Sequence, residues 1–364
     1  MAVPPRGWGF RRLTEALLSR GPRRLILDLA ASSPQWAIPS RAVAAIARAA
    51  PSEWSVHVVE SPTRSDGDGG TAPSADALRA ARDAEVYVGY GITRELFLAA
   101  PRLKWVHSAA AGVGSLLFPE LVERDVIVTN SAGIYAIPIA EHVVAGVLVL
   151  LRGLDIALAR QREHRWDKRA FDGADSPMRE MGEVRALIVG AGGIGGAIAE
   201  RLSALGAQCT AIRRRPERGP PPGCSAVAGP DRLDALLPGH DVLVIAAPAT
   251  AATRRMVTAE RLDRLPRAAI VVNVSRGALL DEDALAARLV AGRLRGALLD
   301  VFSEEPLPPH SPLWDISSAI LTPHVAGVSP RAYWERQTTL LLENWKRYVR
   351  GEPLRNTVDK AAGY

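Results

Sequence analysis

Short apolar runs rich in β-branched residues recur through the first third of the chain, at residues 25–29, 56–59, 86–88, 105–106 and 126–128. Between them lie stretches of helical Ala, Leu and Arg character, such as 42–50 and 75–83. Strands alternating with helices predict a parallel sheet covered by helices. A second series of the same kind follows, with strands predicted at 186–189, 208–212, 242–246, 270–273, 296–299 and 319–321. Between the two series, residues 137–151 are a long apolar run with Pro138 in the first turn, where proline suits a helix. This helix is expected to cross from one domain to the other. A polar loop is expected over 162–183, and the Gly, Ser, Asp and Pro of 61–74 predict a surface loop. Near the end, Leu340, Leu341, Trp345 and Tyr348 recur at helical spacing within 331–350, a helix expected to return the chain to the first domain. The resulting division is an N-terminal extension (1–22), a first domain (23–130 and 323–364) and a second domain inserted into it (131–322).

Length and composition agree with that division. A chain of 364 residues, 48% hydrophobic and 23% charged, can bury two full cores and argues against disorder or fibres. The net charge of +6 would draw anionic ligands. Its arginines are scattered through Ala-rich stretches, with no long basic block or aromatic array, which argues against nucleic acid as a partner. Cys209 and Cys224 lack metal or redox spacing and read as reduced filler. None of the histidines His57, His107, His142, His164, His240 and His310 has a partner pattern that marks a metal ligand. No apolar run approaches a membrane span, and the apolar stripe near the N-terminus is too brief for a signal-peptide core, so the expected location is the cytoplasm.

The first candidate site is the run Gly190-Ala191-Gly192-Gly193-Ile194-Gly195, between the predicted strand 186–189 and an Ala-rich helix at 197–205. In that order the glycines have distinct uses. Gly190 permits the tight turn, Gly192 lets backbone approach a pyrophosphate, and Gly195 lets the helix pack on the strand. Gly193 and Ile194 complete the loop, and the anion would sit at the helix N-terminus. About 20 residues past such glycines an NAD-binding chain usually carries an acid for the ribose 2′-hydroxyl. Here Arg213, Arg214 and Arg215 stand there. Each charge-assisted hydrogen bond from such a group to a 2′-phosphate contributes about 1.5–3 kcal/mol. The expected cofactor is therefore NADP(H), with NAD(H) still admitted.

Three further motifs follow in order: Asn273-Val274-Ser275-Arg276-Gly277, Phe302-Ser303-Glu304-Glu305-Pro306, and Thr322-Pro323-His324. A fixed cation, a carboxylate and an imidazole are the parts needed to bind a 2-oxo acid and protonate its carbonyl during hydride transfer. With the glycine loop before them, these motifs resemble those of the D-isomer-specific 2-hydroxyacid dehydrogenases, over nearly the whole chain from about residue 23.

The resemblance implies a Rossmann dinucleotide-binding domain inserted into a flavodoxin-like substrate domain, each an α/β doubly wound parallel sheet. It implies that Arg276 binds the substrate carboxylate, that His324 donates and accepts the proton, and that Glu305, the residue directly before Pro306, orients the imidazole and favours its charged form. The segment Ser108-Ala109-Ala110-Ala111-Gly112-Val113-Gly114 looks like the family's carboxylate-binding loop, with Gly112 and Val113 at its centre and Gly114 where relatives often carry Asp. Tyr90 and Gly91, after another strand, are candidates for the opposite wall. Pro248, Thr250 and Thr253 resemble the loop beneath the cofactor's adenosine half. Val274 is a further cofactor contact, and Asp300 resembles the acid beside the nicotinamide carboxamide. The implied activity is that of a glyoxylate or hydroxypyruvate reductase, and the implied assembly a homodimer in which the 162–183 arm embraces a second subunit. An NAD-dependent dehydrogenase of another small anion, and a dinucleotide-sensing binding protein without turnover, stay open as alternatives.

Overall fold

The computed structural model describes residues 23–31, 33–61, 72–113, 116–173 and 176–363. The N-terminal extension, most of the predicted loop at 61–74, and Gly114 lie outside them. The described chain forms two compact units, one running to Ile134 and resuming at Ser329, the other spanning Tyr135–Val328.

In the first unit, strands β1 (Arg23–Asp28), β2 (Trp54–Val58), β3 (Ala84–Gly89), β4 (Trp105–Ser108) and β5 (Ile127–Asn130) form a parallel sheet of order β2-β1-β3-β4-β5. That is the flavodoxin-like order of a doubly wound sheet. Its central strands are buried on both faces, as expected where helices cover both: every residue of β3 and β4 is buried, Glu85 and His107 among them. The long helix Tyr333–Arg350 packs on the helix Ser40–Ala49. It also brings Trp345 edge-on to Trp54, with ring centres 4.7 Å apart.

The second unit carries seven parallel strands: β6 (Arg185–Val189), β7 (Gln208–Ile212), β8 (Cys224–Ala228), β9 (Val242–Ile245), β10 (Ile270–Asn273), β11 (Gly296–Leu299) and β12 (Ala319–Leu321). Their order, β12-β11-β10-β9-β6-β7-β8, is the Rossmann order with one strand added at the far edge. Successive residues point to opposite faces, so Leu187, Leu243, Val271 and Leu299 enter one core while Ile188, Val244, Val272 and Leu298 enter the other. The helices Ala136–Leu151 and Gly193–Ala204 pack together over the second face. Gly146 makes the first of these fit, since a Cβ there would lie 2.6 Å from the Leu298 side chain.

Several elements were not foreseen from the sequence. Strand β8 sits at the sheet edge and mixes exposed with half-buried positions, so it has little apolar signal. The helix Leu154–Arg162 buries no residue, and the expected polar loop after it contains a short helix, Arg169–Asp172. The helix Ala136–Leu151 belongs wholly to the second unit. No single helix among the described residues is long and apolar enough to cross a membrane. The bent pair Ala136–Leu151 and Leu154–Arg162 reaches that composition only together, and the first of the two is a core helix.

Candidate active site

In both units the strands end on the side where doubly wound sheets bind ligands. At the end of β6 the glycine loop separates into glycines the fold needs and glycines it leaves open. Gly190 has φ +100°, and a Cβ there would approach the Ala246–Ala247 peptide to 2.5 Å. A Cβ on Gly195 would overlap the Gly190 carbonyl oxygen. Gly192 and Gly196 face open space, with no atom within 4 Å of such a Cβ. Gly192 is also the N-cap of the helix Gly193–Ala204, without a side-chain cap. An open glycine at an uncapped helix N-terminus suits a phosphate group, so these residues fit a dinucleotide. Gly193 and Ile194 form the first turn of that helix.

At the end of β7, Arg213 is half-buried and its Nη1 donates to the Gly219 carbonyl at 3.2 Å. Arg214 and Arg215 are exposed beside it. Beyond β9, the Thr253 hydroxyl donates to the Pro248 carbonyl at 2.6 Å and accepts from the Thr250 N–H at 2.8 Å, which closes that turn on itself.

Arg276 follows β10 in extended backbone, φ −148°. The fully buried Asn273 shapes its loop, donating to the Arg276 carbonyl at 3.0 Å and accepting from the Ser275 N–H at 3.1 Å. The Ser275 hydroxyl donates to the Ala247 carbonyl, and Val274 is buried, its N–H on the Ile245 carbonyl at 3.3 Å.

After β11 the carboxylate of Glu305 divides its oxygens. Oε1 accepts from the Phe302 N–H at 2.9 Å, and Oε2 lies 2.8 Å from Nδ1 of His324. With a carboxylate on Nδ1, that nitrogen carries the proton and Nε2 is left for other chemistry. His324 has φ +53°, a left-handed conformation unusual for a side chain of its size.

Asp300 supports that turn. Only 2% exposed, it accepts at Oδ1 from the Thr322 hydroxyl (2.6 Å) and the Val325 N–H (2.8 Å), and at Oδ2 from the Ala326 N–H (3.0 Å). Three of its lone-pair directions are therefore used inside the protein, where the motif resemblance had suggested an acid facing the cofactor. These bonds also carry the second unit past the boundary at 322 read from the sequence. Thr322 in turn lies 3.2 Å from Nε2 of His142, on the helix Ala136–Leu151.

In the first unit, the Tyr90 hydroxyl donates to the Trp36 carbonyl at 2.5 Å, so its polar end is engaged within the fold. Gly91 follows it, half-buried. The loop after β4 is held by two residues the sequence reading missed: Asn130 donates to the Ala111 carbonyl at 2.7 Å, and the Ser131 hydroxyl to the Ser108 carbonyl at 2.9 Å. Gly112 is exposed, while Val113 is buried, its side chain in the unit's core. No group of three or more His, Cys, Asp or Glu among the described residues is placed to hold a metal ion.

Residues 144–326 match the family model of the D-isomer specific 2-hydroxyacid dehydrogenase, NAD binding domain. Glyoxylate/hydroxypyruvate reductase A of Salmonella newport is 34% identical over 278 residues, covering 73% of this chain and 84% of that protein. The chain belongs to the D-isomer-specific 2-hydroxyacid dehydrogenases. A solved dehydrogenase of this family from Xanthobacter autotrophicus Py2, in complex with NADPH and MES, is similar with TM-score 0.76 and 30% identity, over 95% of this chain and 100% of that one. The NADPH-dependent glyoxylate/hydroxypyruvate reductase of Sinorhizobium meliloti, in complex with NADP and sulfate, has TM-score 0.72 and 29% identity, over 94% and 100%. As a 2-hydroxyacid dehydrogenase the protein is an oxidoreductase acting on a CH–OH group, built as the two parallel-sheet units described above.

Proposed function

We propose that this dehydrogenase reduces small 2-oxo acids of the glyoxylate and hydroxypyruvate class with NADPH, with Arg276 as the substrate-binding cation and His324 and Glu305 as the proton-transfer pair. The observation that carries the reading is the 2.8 Å contact between Glu305 Oε2 and His324 Nδ1. It holds Nδ1 on the carboxylate and leaves Nε2 to exchange a proton with a carbonyl oxygen.

When bound, the nicotinamide cofactor supplies a hydride to the carbonyl carbon of the 2-oxo acid. Arg276 holds the substrate carboxylate with its planar guanidinium and polarises the adjacent carbonyl. His324 gives its Nε2 proton to the carbonyl oxygen, yielding the 2-hydroxy acid, and takes the proton back in the reverse direction. Glu305 holds the ring's orientation and offsets the charge of the imidazolium. Reduction needs the protonated ring and oxidation the neutral one, so the pH optimum for reduction lies below that for oxidation.

Open space at Gly192 supports dinucleotide binding, and Arg214, exposed at the end of β7, supports a 2′-phosphate and hence NADP(H) over NAD(H). Gly193, Ile194, Gly195, Pro248, Thr253 and Val274 complete the cofactor surface, and Asp300 serves it through the His324 turn. The backbone at Gly91, Gly112 and Val113 is assigned to the substrate carboxylate. A homodimer acting in the cytoplasm is part of the same reading, resting on likeness to the family.

The test follows NADPH or NADH oxidation by absorbance against glyoxylate, hydroxypyruvate, pyruvate and phenylpyruvate. Turnover of the small oxo acids with NADPH, lowered by about 10²–10⁴-fold in His324→Ala, is the expected result. Tight NADPH binding with no turnover of any oxo acid overturns it in favour of a dinucleotide-sensing protein.

A further inference from the structure

The segment that carries Arg276 and the loop that carries Glu305 are fastened together at two points away from the reacting groups. Gly277 lies against the peptide between Phe302 and Ser303, where a Cβ would overlap backbone atoms. Further along, Glu282 turns one carboxylate oxygen, Oε1, to the same loop and accepts twice from Ser303, from its N–H at 2.6 Å and its hydroxyl at 3.0 Å.

Glu282 opens the helix Glu282–Val290, and an acid in a first turn commonly complements the helix dipole. That role is already filled, since Asp281 is the N-cap, accepting from the Ala284 N–H at 3.0 Å, and Asp283 is a second acid of the first turn. Glu282 is instead half-buried. Burial lifts its carboxyl above the usual range, the bonds from Ser303 work against that rise, and the neighbouring Asp283 and Glu305 carboxylates add to it. A carboxyl placed at such a cost, bonded twice to a residue just ahead of Glu305, has its effect on the loop.

We propose that Glu282 is a positioning residue for the reduction: by clamping Ser303 it fixes the Phe302–Glu305 loop, so that Glu305 stays aligned with Nδ1 of His324. The inference rests on the reading of His324 and Glu305 as the proton-transfer pair. It concerns how that pair is held in register with the Arg276 segment.

Glu282→Ala removes the acceptor, whereas Glu282→Gln keeps an oxygen that can accept both Ser303 bonds. Glu282→Ala is expected to lower kcat by about tenfold, a change of about 1.4 kcal/mol in the barrier. KM for the oxo acid, and Kd for NADPH read by fluorescence, should stay within about twofold. Glu282→Gln recovers most of kcat. Because Glu282 acts through Glu305, Glu282→Ala produces no further fall in a Glu305→Gln background, whereas a merely structural role costs the same factor in both. Equal factors in the two backgrounds, or an unchanged kcat in Glu282→Ala, overturn the inference. If Glu282→Ala does not fold, Ser303→Ala removes the hydroxyl half of the clamp and carries the same two-background comparison. A wild-type protein that turns over no oxo acid would overturn the underlying reading instead, which keeps the two failures distinct.

Discussion

The backbone N–H of His324 donates to the carbonyl oxygen of Asp300 at 2.9 Å, so the turn that presents the imidazole hangs from the end of β11. The Asp300 carboxylate completes the suspension through Thr322, Val325 and Ala326. A left-handed backbone at a residue such as histidine costs about 1–3 kcal/mol and persists only where its surroundings over-determine it. Asp300 and its partners supply that determination at His324.

Asp300→Asn follows directly from this arrangement. One carboxylate oxygen becomes an NH2 group, so at least one donor among the half-buried Thr322, the exposed Val325 and the buried Ala326 loses its acceptor, at about 1–3 kcal/mol where that donor is buried. Chemical denaturation should record that loss. Steady-state kinetics should record a fall in kcat of about tenfold or more, with the NADPH Kd changed far less. A normal kcat in a destabilised protein would mean that the His324 turn is set without Asp300.

The glycine loop makes a second, contrasting pair of predictions. At Gly195 an added methyl meets the Gly190 carbonyl, which is backbone and cannot step aside, so Gly195→Ala lowers thermal stability and cofactor affinity together. At Gly192 φ is −86° and the added methyl meets nothing, so Gly192→Ala leaves the melting temperature of the free protein near wild type. It fills the space a pyrophosphate would approach, and fluorescence titration should show the NADPH Kd raised by about tenfold or more. An unchanged Kd in Gly192→Ala would place the phosphates elsewhere.

Much of this was legible in the sequence. The glycine order, the β-branched runs and the three motifs each sit where pattern and chemistry agree, and the seven-stranded sheet was short only of β8. That strand lies at the edge, where the apolar period that marks a strand is weak. At the site, the motifs that carry Arg276, Glu305 and His324 stood out in the sequence, but the bonds that hold these residues in place did not. Asp300, Glu282 and Ser303 act through bonds between segments more than twenty residues apart, which leave no local period to read, and Asn273 acts through short bonds to the backbone of Ser275 and Arg276. Arg213 shows the opposite limit. Spacing marked the strand end correctly, yet only the fold shows that its guanidinium bonds the Gly219 carbonyl and that Arg214 beside it is the more exposed of the two.

That difference between the two arginines sets a third prediction. Arg214→Ala should lower kcat/KM for NADPH by about tenfold or more, the scale of one charge-assisted hydrogen bond, while leaving kcat/KM for NADH unchanged. Arg213→Ala loosens the Gly219 turn as well, so it should weaken use of both cofactors. Equal use of NADPH and NADH by the wild type would remove the basis of the prediction.

The last prediction concerns acid stability and two buried groups of the first unit. His107 is fully buried, with Nδ1 2.8 Å from the Thr129 hydroxyl and Nε2 3.2 Å from that of Ser131, and burial pulls its pKa down to about 3. The unfolded chain binds this proton below a pH of about 6.5, whereas the native state does so only near 3, so stability falls as pH drops through that window, by up to about 5 kcal/mol. Glu85, 8% exposed at its side chain, bonds Arg23 at 2.6 and 2.9 Å and Tyr348 at 2.8 Å. The Arg23 bond leads in holding its pKa near 2, so its contribution, about 3 kcal/mol, is complete above the unfolded value of about 4.5 and is lost as pH falls toward 2. Both losses run in the same direction and overlap below about 4.5, so the decline begins under pH 6.5 and steepens there. Trp54, Trp105 and Trp345 are buried in this unit, so urea titrations followed by tryptophan fluorescence at a series of pH values report on it. His107→Gln should flatten the limb between about 6.5 and 4.5, and Glu85→Gln only the limb below. A His107→Gln protein that keeps the wild-type slope across the upper limb would show that other groups bind those protons.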